Sequence, residues 1–206
     1  MSEGDSTSWS LRLLQEVEKA RLRSEEADEE RLARSLGLSV DLIRTFLCEA
    51  GAKGRVVKVD GRFSLTPAGR RLFRVGMIGG VFDILHLGHL RTLEESRRQC
   101  DLLVVVIARA ETVRRLKGKT PLNDDQVRRE MVSALKVVDV AILGDMVDRS
   151  VPFLHVHPNV VFLGHDQTMP EIVEEVLAKE VEVRRLNVRV EGKATTDIIK
   201  KISGEF

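Results

Sequence analysis

The feature that most limits how this chain can fold is Leu102-Leu103-Val104-Val105-Val106-Ile107-Ala108, an unbroken apolar run. A strand with one wet face would alternate, and a membrane span needs about 20 apolar residues. A short run rich in β-branched residues fits a strand covered on both faces, which in turn calls for helices on both sides of a sheet. The neighbouring segments agree. Val75 to Ile78, Val138 to Leu143, Val160 to Leu163 and Val181 to Leu186 read as further strands. Gly88 to Gln99, Asp124 to Leu135, Glu171 to Glu180 and Thr196 to Ile202 read as helices. Strand and helix alternate, so residues 74–206 are expected to form an α/β domain with a parallel sheet.

Residues 1–73 have another pattern. Leu11, Leu13, Leu14 and Val17 share a helical face, Ala27 to Leu36 gives a second helix ended by Gly37, and Ser39 caps a third running to Glu49 and ended by Gly51. Arg55 to Val59 and Arg62 to Leu65 read as strands joined by Asp60-Gly61, a hairpin signal. Thr66-Pro67 opens a last short helix, and Phe46, Phe63 and Phe73 are expected to build the core of this module. The order resembles a winged helix-turn-helix. That likeness raises a binding alternative, a DNA-binding regulator whose α/β domain senses a nucleotide. The third helix, with Asp41, Arg44 and Glu49, suits phosphate contact poorly; the hairpin, with Lys53, Arg55, Lys58 and Arg62, suits it better.

Composition narrows the rest. A formal net charge of +1 over 206 residues drives the chain to neither nucleic acid nor acidic membranes. With no Tyr and one Trp there is no stacking platform for single strands. Cys48 and Cys100 form no metal or redox motif, and Met1 to Trp9 is polar and acidic, unlike a signal peptide, so a cytoplasmic protein is expected. His155-Val156-His157 would place two imidazoles on one strand face, but no third ligand is evident and no protein metal site is expected.

The chemistry concentrates in Gly79-Gly80-Val81-Phe82-Asp83-Ile84-Leu85-His86-Leu87-Gly88-His89, between a strand and a helix. Glycines at such a turn let the backbone pass close to a ligand. His86 and His89, three residues apart, share one side of the helix's first turn. Two imidazoles beside free N–H groups and a positive dipole end make a site for a phosphoryl group. Thr195 and Thr196 precede the last helix, where hydroxyls either bind phosphate or simply cap, and Arg189 offers a planar fork for phosphate oxygens.

Gly80-x-Phe82-Asp83-x-x-His86-x-Gly88-His89 resembles the H-x-G-H signature of the cytidylyltransferase-like nucleotidyltransferases. The likeness extends over nearly all of residues 75–203 and implies a Rossmann-like, doubly wound parallel sheet. It implies nucleotide-binding roles for Gly80, Val81, Phe82, Asp83, Gly88, Arg128, Gly164, Asp166, Arg189, Thr195 and Thr196, and a catalytic role for His86, His89 and Lys117. Leu116-Lys117-Gly118-Lys119 resembles the family's lysine segment, and Arg189-x-Glu191-Gly192-x-x-Thr195-Thr196 its triphosphate-holding element. Read without the family, Lys117 and Lys119 could be solvated loop lysines, Arg128 a solvated helix residue and Asp139 a strand-end ion-pair partner. One position departs: relatives carry an Asp where this chain has Ala110, followed by Glu111, which would have to substitute.

The family's reaction is in-line attack of a substrate phosphate oxygen on the α-phosphorus of a nucleoside triphosphate, with loss of pyrophosphate. Mg²⁺ is expected with the triphosphate, bound mainly through phosphate oxygens. Ala108-Arg109, Glu111 to Gly118, Ala141 to Gly144 and Gly164-x-Asp166-Gln167 look like the archaeal FAD synthase branch, which joins AMP from ATP to FMN. Arg189 to Thr196 is closer to the CTP-dependent form that acts on glycerol 3-phosphate or related alcohol and sugar phosphates. Relatives commonly form homodimers, so a homodimer is a further expectation.

Overall fold

A computed structural model of the chain describes residues 3–164 and 181–188. It divides into two compact units, Met1–Phe73 and Arg74–Phe206.

The first unit contains helices α1 (Glu3–Leu22), α2 (Glu29–Leu36) and α3 (Val40–Ala52), the hairpin β1 (Val56–Val59) and β2 (Arg62–Leu65), and the short helix α4 (Pro67–Arg70). The caps explain the boundaries. Asp28 accepts from the Arg31 N–H, Ser39 from Leu42 and Thr66 from Gly69. Asp60 (φ 49°) and Gly61 (φ 79°) both turn left-handed, as a two-residue hairpin requires. Gly51, expected to stop the third helix, lies inside α3; the left-handed turn falls three residues later, at Gly54 (φ 64°). Phe46 and Phe73 are buried with Leu13, Leu14, Val17 and Ile43. Phe63 is only half-buried, and the Lys58 ammonium lies over its ring. Three cations considered for nucleic-acid contact are already paired inside this unit: Arg44 with Asp41, Lys58 with Glu29 and Arg62 with Glu26.

The second unit contains β3 (Val75–Gly80), α5 (Leu87–Arg97), β4 (Leu102–Ile107), α6 (Ala110–Lys117), α7 (Asp125–Ser133), β5 (Val140–Leu143), α8 (Val151–Val156), β6 (Val160–Leu163) and β7 (Glu182–Arg185). Among the described residues the strands form one parallel sheet in the order β5-β4-β3-β6-β7. The apolar run is the second strand in from one edge, and all of β4 is buried. Chain order runs outward from β3 through β4 to β5, then crosses back to β6 on the other side of β3. That reversal leaves the carboxyl ends of β3 and β6 side by side, where open α/β sheets bind ligands. On one sheet face Ile78, Leu103, Val105, Ile107, Val160 and Phe162 pack with Leu93 of α5 and Val132 of α7.

Two helices were not foreseen. Residues 110–117 form α6, closed by Gly118 in the left-handed region, so the lysine segment Leu116 to Lys119 begins on the last turn of a helix. Residues 151–156 form α8, so His155 is helical and His157 is its left-handed cap; the shared strand face expected for these imidazoles does not exist. β5 starts at Val140 rather than Val138. The helices expected at Glu171 to Glu180 and Thr196 to Ile202 lie outside the described residues. No helix among the described residues is long and apolar enough to cross a membrane.

Gly76 shows how tightly the sheet is closed. A Cβ there would stand 2.6 Å from the Phe162 ring and 2.7 Å from Cys100 Sγ. Gly76→Ala is expected to lower stability by about 1–3 kcal/mol through overpacking. Denaturant unfolding checks this, and an unchanged midpoint would count against it.

Candidate active site

The site is assembled at the carboxyl end of β3. The chain leaves the strand through Gly80 and Val81 and turns at Phe82, which is non-glycine yet has φ 51°. Strain of this kind persists only where the surroundings hold it. The Phe82 ring is buried and folds back over Gly80, so a Cβ at Gly80 would come within 2.5 Å of it. Packing against Phe82, rather than approach to a ligand, is the structural reason for glycine at this position.

α5 then begins with an imidazole as its cap. His86 has extended backbone angles, and its Nδ1 accepts from the His89 N–H at 3.4 Å. An accepting Nδ1 carries no proton, so the neutral His86 ring has its N–H on Nε2. A Cβ at Gly88 would sit 3.0 Å from this ring, which explains the second glycine of the motif. His89 stacks on His86 with ring centroids 3.8 Å apart and also meets the edge of Phe82 at 5.1 Å. Burial, with a smaller contribution from the neighbouring His86, pushes the His89 imidazole down to about 4, so it is neutral near pH 7. His89 Nδ1 is buried and has no hydrogen-bond partner among the described residues. Such an atom costs roughly 1–3 kcal/mol until something bonds to it. The first turn of α5 therefore offers two stacked imidazoles, His89 neutral, beside the dipole end of a helix.

Beneath this turn lies Arg128, wholly buried. Its guanidinium donates to Val81 O (2.7 Å), Ala108 O (2.8 Å), Asn123 O (3.0 Å) and Asp125 Oδ1 (2.6 Å). Four of its five N–H donors are thus taken up inside the protein, so Arg128 supports the site from within. The solvated helix face considered for it is excluded. Asp83 is likewise directed inward. Its carboxylate accepts from the N–H groups of Leu122 (2.7 Å) and Asn123 (2.8 Å) and ties the loop before α7 to the motif. Asp139 is a strand-end partner, accepting from Leu103 N–H at 2.8 Å and pairing with Arg97 at 3.1 Å.

Sequence reasoning missed Asp125. This carboxylate accepts from Ala110 N–H at 2.8 Å, from Arg128, and more weakly from Arg109 at 3.5 Å. Nothing local announced it, since its partners are 15 residues or more away except for Arg128. Glu111, considered as a substitute for the missing Asp, is exposed and pairs with Arg114 at 3.2 Å on the surface of α6. Lys117 is exposed at the end of α6, and no described contact joins it to the histidines. Gly164 follows β6, beside the exit of β3. Asp166, Arg189, Thr195 and Thr196 lie outside the described residues.

Comparison with known proteins agrees with this geometry. Residues 77–204 match a family model described as cytidylyltransferase-like. FAD synthase from Methanopyrus kandleri is 47% identical over 135 residues, covering 61% of this chain and 89% of that protein. FAD synthase from Aciduliprofundum boonei is 42% identical over 128 residues, covering 61% of this chain and 85% of that protein. Among solved structures, the lipopolysaccharide core biosynthesis protein from Thermoplasma volcanium is similar with a TM-score of 0.53 and 39% identity, covering 57% of this chain and 99% of that one.

Two outcomes follow from the geometry. Arg128→Met, close in volume, leaves Asp125 and three carbonyls without their donor and is expected to cost about 3–5 kcal/mol in denaturant unfolding; a loss below about 1 kcal/mol would contradict this reading of the hub. His89 binds its proton less well when folded than when unfolded. Between its ordinary 6.5 and about 4 the unfolded chain therefore takes up a proton that the folded chain does not. Its contribution to stability is complete above pH 6.5 and is lost as pH falls through 4. An NMR titration should place His89 near 4, and His89→Gln should flatten that part of the stability profile; a midpoint near 6.5 would refute both.

Proposed function

Given that the chain belongs to the cytidylyltransferase-like family and is a nucleotidyltransferase, we propose that it transfers the AMP moiety of ATP to FMN, forming FAD and releasing pyrophosphate. The observation that carries the choice of substrates is the 47% identity to an FAD synthase across 89% of that protein's length. In the reaction, an FMN phosphate oxygen bonds to the α-phosphorus of ATP as the bond to the bridging oxygen breaks. The electron pair leaves with pyrophosphate, and no covalent enzyme intermediate is required.

Catalysis of this kind is positioning and charge stabilisation. His86, through Nε2–H, and His89 donate to the α-phosphate oxygens as charge builds there. The free N–H groups of the first α5 turn add to that field. The family resemblance assigns Lys117, Arg189, Thr195 and Thr196 to the phosphates, and Gly164 and Asp166 to the nucleotide. A divalent ion, Mg²⁺ first among them, enters with ATP, bound mainly through its phosphate oxygens. Among the described residues no three His, Cys, Asp or Glu side chains cluster, and Asp83 and Asp125 accept from N–H groups.

A pyrophosphate-release screen tests this, pairing ATP and CTP with FMN, glycerol 3-phosphate and sugar 1-phosphates. Turnover is expected only with ATP plus FMN, with FAD as product. Turnover only with CTP would replace both substrates. His89→Ala should lower kcat by about 10²–10³-fold. A folded variant with undiminished turnover would remove the histidines from the scheme.

A further inference from the structure

The chain lacks a side-chain carboxylate at Ala110, the first residue of α6, and the capping residue Arg109 makes no side-chain cap bond. The structure fills that gap from another element. Asp125, in the first turn of α7, accepts from Ala110 N–H at 2.8 Å. The same oxygen accepts from Arg128 at 2.6 Å, and the other oxygen lies 3.5 Å from Arg109. Its partners reach three strand exits. Arg128 holds Val81 O after β3 and Ala108 O after β4, and Arg109 holds Gly144 O after β5 at 2.9 Å.

One of these links leads to the histidines. The Val81 carbonyl belongs to the peptide that enters Phe82, the residue in the left-handed turn. The Phe82 ring in turn contacts His89, which stacks on His86. We infer that Asp125 is a positioning residue for nucleotidyl transfer: it fixes the Arg128 fork and the start of α6, and through them the Phe82 turn that seats the His86–His89 pair. The inference rests on the reading of those histidines as the phosphate-binding pair. It adds a residue that touches neither substrate nor histidine. A side chain of the right charge in the wrong place would not serve, because two donors from different elements converge on one oxygen. Asn keeps the shape but loses the charge, whereas Glu keeps the charge at a longer reach.

The test compares Asp125→Asn, Asp125→Glu and the exposed control Glu130→Gln on the same helix. Asp125→Asn is expected to lower kcat about 10- to 100-fold with little change in KM for ATP, the size expected from misplacing reacting groups by about 1 Å. Asp125→Glu should recover part of this, and Glu130→Gln should match the parent. In the substrate-free protein, the ring proton signals of His86 and His89 should shift in Asp125→Asn and stay in place in Glu130→Gln. Parental kcat in Asp125→Asn would overturn the inference. So would a loss of activity explained by the unfolded fraction alone, with the folded histidine signals unmoved. The NMR arm uses no substrate, so it reads the inference even if FMN proves the wrong acceptor.

Discussion

The second unit depends on one buried guanidinium. Removing a cation from water is costly, and the cost is offset only by acceptors of the right geometry. Arg128 places four of its five N–H donors on three carbonyls and one carboxylate, drawn from three stretches of the chain at Val81, Ala108 and Asn123 to Asp125. Apolar packing sets the sheet order but does not dictate where the chain turns beyond each strand. The planar fork does so by requiring Val81, Ala108 and Asn123 to present their oxygens at fixed positions. A lysine, with a single nitrogen, cannot reach the same set. The rigidity of the exits from β3 and β4 is thus directional, of a kind hydrophobic burial alone does not supply.

This also explains what was legible in the sequence. β4 was readable because seven consecutive apolar residues admit few alternatives, and the Asp60-Gly61 turn because few residues adopt two left-handed conformations in a row. The His86–His89 motif was readable because its spacing and its place between strand and helix are both local. α6 was not, because Arg114, Arg115 and Lys117 dominate its sequence and only Thr112 and Val113 are buried. α8 was hidden by its β-branched residues, although Pro152 in its first turn was a usable signal. Gly51 misled because a glycine marks a helix end only where the backbone turns left-handed, and that turn belongs to Gly54. The inward partners of Arg128, Asp83 and Asp125 were not legible for a common reason. Those partners are brought together by the sheet, and a polar residue in a sequence does not declare whether it faces solvent, ligand or backbone.

His86 shows local structure being traded for chemistry. Ser, Thr, Asp or Asn would cap α5 better, and the cap bond at 3.4 Å is long. The imidazole instead spends Nδ1 on the helix and keeps Nε2–H as a donor, so the capping bond itself selects the tautomer. Gly88 makes room for this ring, and the stacked His89 is kept neutral by burial. Local rules yield to function at this cap and at the Phe82 turn, and both lie within the same short segment.

These features together leave the described floor of the site close to uncharged. His89 is neutral, and the two cations Arg109 and Arg128 are matched in number by the two carboxylates Asp83 and Asp125. A triphosphate brings several negative charges, which neutral donors can orient but not neutralise. On the proposed function, the compensating charge comes from Lys117, exposed at the end of α6, and from the cation that would enter with the nucleotide. Such a division suits the reaction. A neutral, directional floor binds the α-phosphate oxygens most strongly when charge develops on them, which favours the transition state over the ground state. In the proposed scheme the cations would act instead on the β- and γ-phosphates, where the charge of the departing pyrophosphate collects.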